Sequence, residues 1–176
     1  MGKDRFNRIF ISLFEYKEVT VIFTGRIEEL KFMLPRGIRN HNPLNIRRNG
    51  KDQWKGLAEH QQDAAFCQFK SLEYGWRAAF YLLTRTYYHK YRLYTIRGII
   101  SKWAPPTENK TEAYIANVSA LTGILPDEPL GIPSDQPSRW MMLGAAMAIQ
   151  ENGTESLDYF AMMRGWELAR SDVGKT

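Results

Sequence analysis

The chain has 176 residues, of which 44% are hydrophobic and 13% aromatic, and its formal net charge is +5. These values predict one globular domain with a substantial core and exclude a disordered chain. The single cysteine, Cys67, excludes an internal disulfide framework, and the three histidines show no ligand spacing, so we expect no metal and no cofactor.

No apolar run in the sequence approaches the ~20 residues of a membrane-spanning helix. The basic start contains only the short apolar stretch IFISLF, which is below the ~7–15-residue core of a secretory signal. We therefore expect no membrane span and no export signal. The protein would be made in the bacterial cytoplasm and delivered by other components if it acts elsewhere.

Residues 1–32 differ from the rest of the chain. The β-branched run VTVIFTG is followed by RIEELKFML, which could form a short helical turn, and neither stretch carries residues typical of a site. We interpret residues 1–32 as an N-terminal extension and expect the compact domain to cover residues 33–176.

The next segment, RGIRNHNPLNIRRNG, is crowded with asparagine and arginine. Asparagine tolerates left-handed backbone and Asn-Pro favours turns, so a surface turn is one interpretation. The other is a groove wall that binds hydroxyl and amide groups. The alternating stretches LNIRR and AAFCQF that follow, separated by polar turns, predict a small antiparallel β-lobe.

Helices are expected after this lobe. Ser71 is a suitable N-cap for a helix reaching about residue 91, and Thr95 for IRGIISKW, which ends at APP. A helix opening at Thr111 should stop at Gly123, another should run from Ser138 to the Asn-Gly pair at 152–153, and the last from about 155 to 169. The predicted fold class is α+β, mainly α-helical.

Two acidic residues are candidates for acid–base chemistry. Glu151 ends a predicted helix, where the helix dipole disfavours an ionised carboxylate and would help keep a proton for a glycosidic oxygen. Glu73 lies in the first turn of its helix, where a capping role also accounts for it. Tyr114, in TEAYIANV, could pack in the core or line a site.

The ordered series RGIRNHNPLNIRR, WAPPTEN with TEAYI, and ENG resembles a family of small proteins from phages and Bacteroidetes mobile elements, labelled virion structural proteins. The resemblance covers about residues 36–153 and implies association with a virion. A more distant similarity is to lysozyme-like enzymes, namely lytic transglycosylases and glucosaminidases. NPLNIR resembles their Asn segment, FKSLEYGWRA their helix start and TEAYIANV their Tyr helix.

In those enzymes a Glu-bearing helix precedes the Asn segment, whereas here the matching stretch, AAMAIQENG, comes near the end. The resemblance therefore implies a circularly permuted lysozyme-like fold in which Glu151 returns to the Asn-rich segment. It implies a phage or prophage glycosidase of muramidase, glucosaminidase or lytic transglycosylase type that acts on peptidoglycan strands of the cell wall.

In this hypothesis Glu151 is the general acid, Tyr114 holds the substrate and Glu73 is the reserve acid. The predicted substrate-binding residues are Arg39, Asn40, Asn42, Asn45 and Asn152. The alternative is a non-catalytic virion structural or cell-wall-binding module that contacts other virion proteins. Nucleic acid is not an expected partner, because the aromatic residues of RTYYHKYRLYTIR lie at helical core spacing.

Overall fold

The computed structural model describes residues 34–51, 53–107 and 110–171. The extension predicted for residues 1–32, and with it the boundary at residue 33, lies outside the described residues and stays a prediction. The helices, in chain order, are α1 (Arg36–Arg39), α2 (Leu72–Tyr81), a π-helix (Leu82–Lys90), α3 (Ile96–Trp103), α4 (Thr111–Thr122), α5 (Pro137–Asn152) and α6 (Tyr159–Ser171).

The predicted antiparallel β-lobe is wrong, and with it the α+β lysozyme-like fold class. Within the described ranges the extended pairing is limited to isolated bridges, two of which join Arg47 to Phe66 and Leu57 to Phe69. A strand needs consecutive residues with negative φ. Here Asn45, the second residue of LNIRR, has a φ of 49°, so the alternating pattern lies on irregular backbone.

Side-chain amides replace the missing ladder in the irregular region, which we define as the described residues between positions 40 and 70. The Asn42 amide donates to the carbonyl oxygens of Ile46 (3.0 Å) and Cys67 (2.8 Å), while its oxygen accepts from the Ile46 N–H (2.9 Å). Asn42 is fully buried. One buried side chain thus ties together backbone groups separated by more than twenty residues in sequence.

The helix predicted to start after Ser71 forms, but its second half is a π-helix. The Tyr91 N–H donates to the Thr86 carbonyl oxygen at 2.9 Å, a bond across five residues rather than four. The Thr84 hydroxyl also bonds back to the Phe80 carbonyl oxygen at 2.7 Å. Wider turns of this kind often occur at functional sites, and this one forms part of two cavities described below.

Most predicted helix boundaries are confirmed within a few residues, but the Ser71 side chain does not cap α2, and the last helix begins at Tyr159 rather than at about residue 155. Thr95 caps α3, accepting a hydrogen bond from the Gly98 N–H at 3.1 Å. Gly123 and Gly153 end α4 and α5 in the left-handed conformation, with φ values of 69° and 63°. Helix α5 begins at Pro137, one residue before the predicted cap, because proline fits the first helical position.

The core is built around α2. The Trp76 and Phe80 rings stack with centroids 5.5 Å apart, and Trp166 of α6 meets Phe80 edge-on at 5.1 Å. Helix α6 can come this close because a Cβ at Gly165 would lie 2.3 Å from the Trp76 Cβ. Close packing of these aromatic rings fixes α2 and α6 against each other.

Candidate functional site

The carboxylate of Glu151, in the last turn of α5, collects three hydrogen bonds from separate parts of the fold. Its Oε1 accepts from the Trp103 indole N–H and from the Tyr114 hydroxyl, each at 3.0 Å. Its Oε2 accepts from the Asn45 amide at 3.2 Å. The residues that meet here come from α3, α4, α5 and the Asn-rich segment, with 106 positions between Asn45 and Glu151.

The next residue, Asn152, positions the end of α5 against the Asn-rich segment. Its buried amide donates to the carbonyl oxygens of Pro43 and Ala148, both at 2.8 Å. A Cβ at Gly37 would lie 2.3 Å from Asn152 Oδ1 and 3.0 Å from Asn45 Oδ1. The absence of a side chain at Gly37 therefore allows α1, Asn45 and the end of α5 to come together.

Glu151 lines a cavity of about 330 Å³, which is within the range of small-ligand sites. Aromatic side chains form much of its wall, and Arg47 supplies a positive charge. Among the described residues that line it, Glu151 is the one acid. The lining residues are Asn45, Arg47, Phe66, Tyr87, Trp103, Ala104, Tyr114 and Glu151.

Tyr114 serves as a proton-bearing donor in this cluster. Burial, the neighbouring Glu151 charge and the hydrogen bond to Glu151 raise the pKa of the Tyr114 phenol well above its ordinary value. Because a carboxylate oxygen has about two lone-pair sites, the bonds from Tyr114 and Trp103 occupy Oε1 fully. Oε2 accepts one bond within the protein and keeps one site for a proton or a ligand.

One wall of the cavity is braced by Asp63, which organises the loop before Phe66. The Asp63 carboxylate accepts two bonds of 2.7 Å from Arg36, one of 2.8 Å from Asn40 and two from backbone N–H groups. The hydrogen bonds from Arg36 are the main reason that the pKa of Asp63 lies well below its usual range. The Arg36 guanidinium then lies 4.4 Å from the Phe66 ring centroid, with Arg47 at 5.2 Å.

The structure brings together three of the residues predicted for the site: Glu151, Tyr114 and Asn45. The other predicted acid, Glu73, lies outside the lining of this cavity, in the first turn of α2. A hydrogen bond from Ser71 and its own backbone N–H lower the pKa of Glu73, as expected for a carboxylate at a helix start.

The remaining predicted substrate-binding residues also lie outside the cavity lining. Arg39 is exposed, whereas Asn40, Asn42 and Asn152 are buried. Both amide hydrogens of Asn42 and of Asn152 are used by backbone carbonyl groups, and Asn40 bonds Asp63 and Gln68. These asparagines shape the segment that carries Asn45.

Sequence reasoning missed five lining residues: the small Ala104 and four with large side chains, Arg47, Phe66, Tyr87 and Trp103. Trp103 is the last residue of the stretch IRGIISKW. Its position just before APP, where the helix must end, was a usable signal, since a terminal tryptophan can direct its N–H toward a partner. The presence of Arg47, Phe66 and Tyr87 in the lining depends on how the irregular region and the π-helix pack.

Two further observations concern the described part of the chain. It contains no group of three histidine, cysteine, aspartate or glutamate side chains that could hold a metal ion. It also contains no helix long and apolar enough to cross a membrane.

Comparison with known proteins shows that the chain is similar to a phage protein. The chain is 40% identical over 134 residues to Protein P5 of Pseudoalteromonas phage PM2, an alignment that covers 75% of this chain and 80% of Protein P5. The chain belongs to the same phage protein family. This confirms the phage resemblance seen in the sequence. No protein-family model matches the chain, and the comparisons do not show a link to lysozyme-like enzymes.

Proposed function

We propose that this phage protein is virion-associated and that its cavity binds peptidoglycan strands of the bacterial cell wall, with Glu151 acting as the general acid of a glycosidase. The observation that carries the proposal is the convergence of Glu151, Asn45, Trp103 and Tyr114 in one cavity. Aromatic walls suit sugar rings, and an amide and a guanidinium suit N-acetyl and lactyl groups. The proposal rests on this geometry and not on a lysozyme-like fold.

The hydrogen bonds of Glu151 support a role in proton transfer. With Oε1 occupied by Trp103 and Tyr114, a proton would reside on Oε2, from which it can pass to the leaving glycosidic oxygen. The carboxylate formed in that step can then take a proton from water, as in a muramidase or glucosaminidase. In a lytic transglycosylase it would take the proton from a hydroxyl of the sugar itself.

The presence of a single acid in the described lining favours the lytic transglycosylase route over hydrolysis. Most glycosidases pair two carboxyl groups across the bond they cleave, and substrate-assisted enzymes are exceptions. Attack by the sugar's own hydroxyl requires no second carboxylate to activate water. We therefore expect the products to carry an internal anhydro ring rather than a free reducing end.

The test compares wild type with Glu151→Gln in turbidity loss and zymography on purified cell walls. The glutamine keeps an oxygen for Trp103 and Tyr114 to bond but carries no transferable proton. We expect a loss of ~10²–10⁴-fold in rate, the usual contribution of a general acid. Mass spectrometry of the released fragments identifies the reaction, since an anhydro product is lighter than the hydrolysed one by one water.

Two control variants make the result specific. Glu155→Gln removes an exposed carboxylate near the end of α5, outside the cavity, and should retain activity. Glu73→Gln replaces the reserve acid and should also retain it. Full activity in Glu151→Gln together with inactivity in Glu73→Gln would overturn the assignment of the acid.

The second candidate is a non-catalytic virion structural or wall-binding protein, and membership of the phage family supports it directly. In this case the three bonds to Glu151 only fasten α3, α4 and α5 to the Asn-rich segment. It predicts that the protein sediments with purified walls, or with other virion proteins, and releases no soluble fragments. Wall binding that is equal in wild type and Glu151→Gln, without lysis by either, would favour it.

A further inference from the structure

A second cavity, of about 360 Å³, shares no lining residue with the first. It lies between the π-helix, the loop before α5 and the end of α6. We refer to it as the basic cavity because its lining includes the basic residues Arg85, His89 and Arg170. The full lining is Thr84, Arg85, His89, Ile132, Pro133, Ser134, Trp166, Ala169 and Arg170.

Neither arginine of the basic cavity has an acidic partner among the described residues. Every salt bridge found among the described residues involves other cations, for example Arg36 with Asp63 and Arg139 with Glu128. No acid lines the basic cavity within the described part of the chain. Two guanidinium groups, on the π-helix and on α6, therefore share one concave surface whose described lining contains no carboxylate.

The base of the basic cavity is apolar, which distinguishes it from an ordinary solvated basic surface. Pro133, Trp166 and Ala169 line it and are buried, with Trp166 only 6% exposed. Charged groups beside an apolar, partly dry wall interact more strongly with an anion than the same groups in bulk water. An apolar substituent on that anion could also lie against the wall and bury its own surface.

We propose that the basic cavity binds a soluble phosphomonoester that carries an apolar or aromatic group. The charges match, because a phosphomonoester approaches −2 near neutral pH and the two arginines supply +2. Guanidinium groups donate paired hydrogen bonds to phosphate oxygens, so two of them can hold three oxygens in a fixed orientation. A carboxylate has half the charge and fewer acceptors, and it would bind more weakly.

The test is titration of the intact protein with phenyl phosphate, inorganic phosphate, benzoate and phenol at fixed ionic strength, by calorimetry. We expect phenyl phosphate to bind about tenfold or more tightly than inorganic phosphate or benzoate, and phenol not to bind detectably. Arg85→Gln and Arg170→Gln should each weaken phenyl phosphate binding by about tenfold, the effect of losing one charge-assisted contact of about 1.4 kcal/mol.

A matched control is Lys102→Gln, which removes an exposed positive charge on α3, outside the basic cavity, and should leave the affinity unchanged. Asp135→Asn is a second probe, because Asp135 accepts a bond from the lining residue Ser134 and repels an anion at the rim. Removing the Asp135 charge should tighten the binding of phenyl phosphate. Thermal unfolding of each variant verifies that the fold is intact.

Three outcomes would overturn the proposal. The first is the absence of saturable phenyl phosphate binding to wild type. The second is an affinity that falls equally in Lys102→Gln and in the two cavity variants, which would indicate non-specific charge attraction. The third is sedimentation with phosphatidylcholine vesicles containing phosphatidic acid when phenyl phosphate does not bind, which would indicate a membrane surface as the partner.

Discussion

The irregular region, residues 40–70, buries amide side chains, whereas the helices that follow it bury aromatic rings. In the irregular region Asn40 and Asn42 are buried and hydrogen-bonded to loop groups, and Asp63 accepts five bonds. In the helical region Trp76 and Phe80 are nearly inaccessible and pack face to face. The helices are held chiefly by apolar burial, which is non-directional. The irregular region adds directional bonds to the apolar burial of Leu44, Cys67 and Phe69.

This difference bears on the candidate site, because the cavity around Glu151 is formed where the two regions meet. Trp103, Tyr114 and Glu151 come from helices, while Asn45, Arg47 and Phe66 come from the irregular region. Helices provide fixed positions, and the hydrogen-bonded loops provide the polar and charged groups. Substitutions in the two regions should therefore change the free energy of unfolding by different amounts and with a different dependence on pH.

The largest effect is expected for Trp76→Ala in the helical region. Removing a fully buried indole that stacks on Phe80 loses its apolar burial and leaves a cavity, at a cost of about 3–5 kcal/mol in the free energy of unfolding. Chemical denaturation measures this cost. Phe160→Ala is the control, because that ring is 85% exposed and its removal should change stability by less than about 0.5 kcal/mol.

The next effect is expected for Asn42→Ala in the irregular region. The substitution leaves the Ile46 N–H and two carbonyl oxygens without their buried partner, and we expect a cost of about 2–4 kcal/mol. Hydrogen exchange should accelerate around residues 46–67 more than in α2. Asn117→Ala, which removes an exposed amide bonded to Gln150, should have little effect. Equal effects of the two would contradict the described role of Asn42.

Gly37→Ala tests the contact between the two regions. The new methyl group would lie 2.3 Å from Asn152 Oδ1 and 2.8 Å from the Asn42 carbonyl oxygen, so the Asn-rich segment must shift. We expect a cost of about 1–3 kcal/mol, typical of overpacking. If Asn45 moves away from Glu151 as a result, wall binding or lysis should fall further than stability alone explains. Unchanged stability would show that this contact is loose.

The smallest effect is expected for Asp63→Asn, and it depends on pH. The folded-state pKa of Asp63 is depressed below an unfolded value of ~3.9, so the carboxylate stabilises the fold fully above that value. The contribution declines as the pH falls below ~3.9 and is lost by the folded-state pKa. At neutral pH the variant should be about 1–2 kcal/mol less stable than wild type.

The measurement for Asp63 is a series of unfolding curves from neutral pH to about pH 2. The difference in the free energy of unfolding between wild type and Asp63→Asn should become smaller as the pH falls. The difference between wild type and Trp76→Ala should stay constant. A constant difference for Asp63→Asn would mean that the bonds to Arg36 and Asn40 do not depend on the charge of Asp63.

Predictions from the sequence were more accurate for the helices than for the irregular region. The helices around Trp76, Ile99, Tyr114 and Leu143 have apolar stripes and local stop signals, and their limits were predicted within a few residues. The β-lobe prediction failed because alternation in LNIRR and AAFCQF is equally compatible with irregular backbone when side chains supply the hydrogen bonds. The π-helix was also missed, since its residues follow an ordinary helical pattern.

Most helices, the buried aromatic core and the phage family could be predicted from the amino-acid sequence, because these depend on periodicity, local caps and a long ordered series of residues. The sequence also pointed to Glu151 and to the Asn-rich segment as separate features. The contacts of Glu151 with Asn45, Trp103 and Tyr114, and the cavity shared by Arg85 and Arg170, became visible only in the folded molecule. Contacts between residues tens of positions apart depend on how helices pack, and packing has no local pattern in the chain.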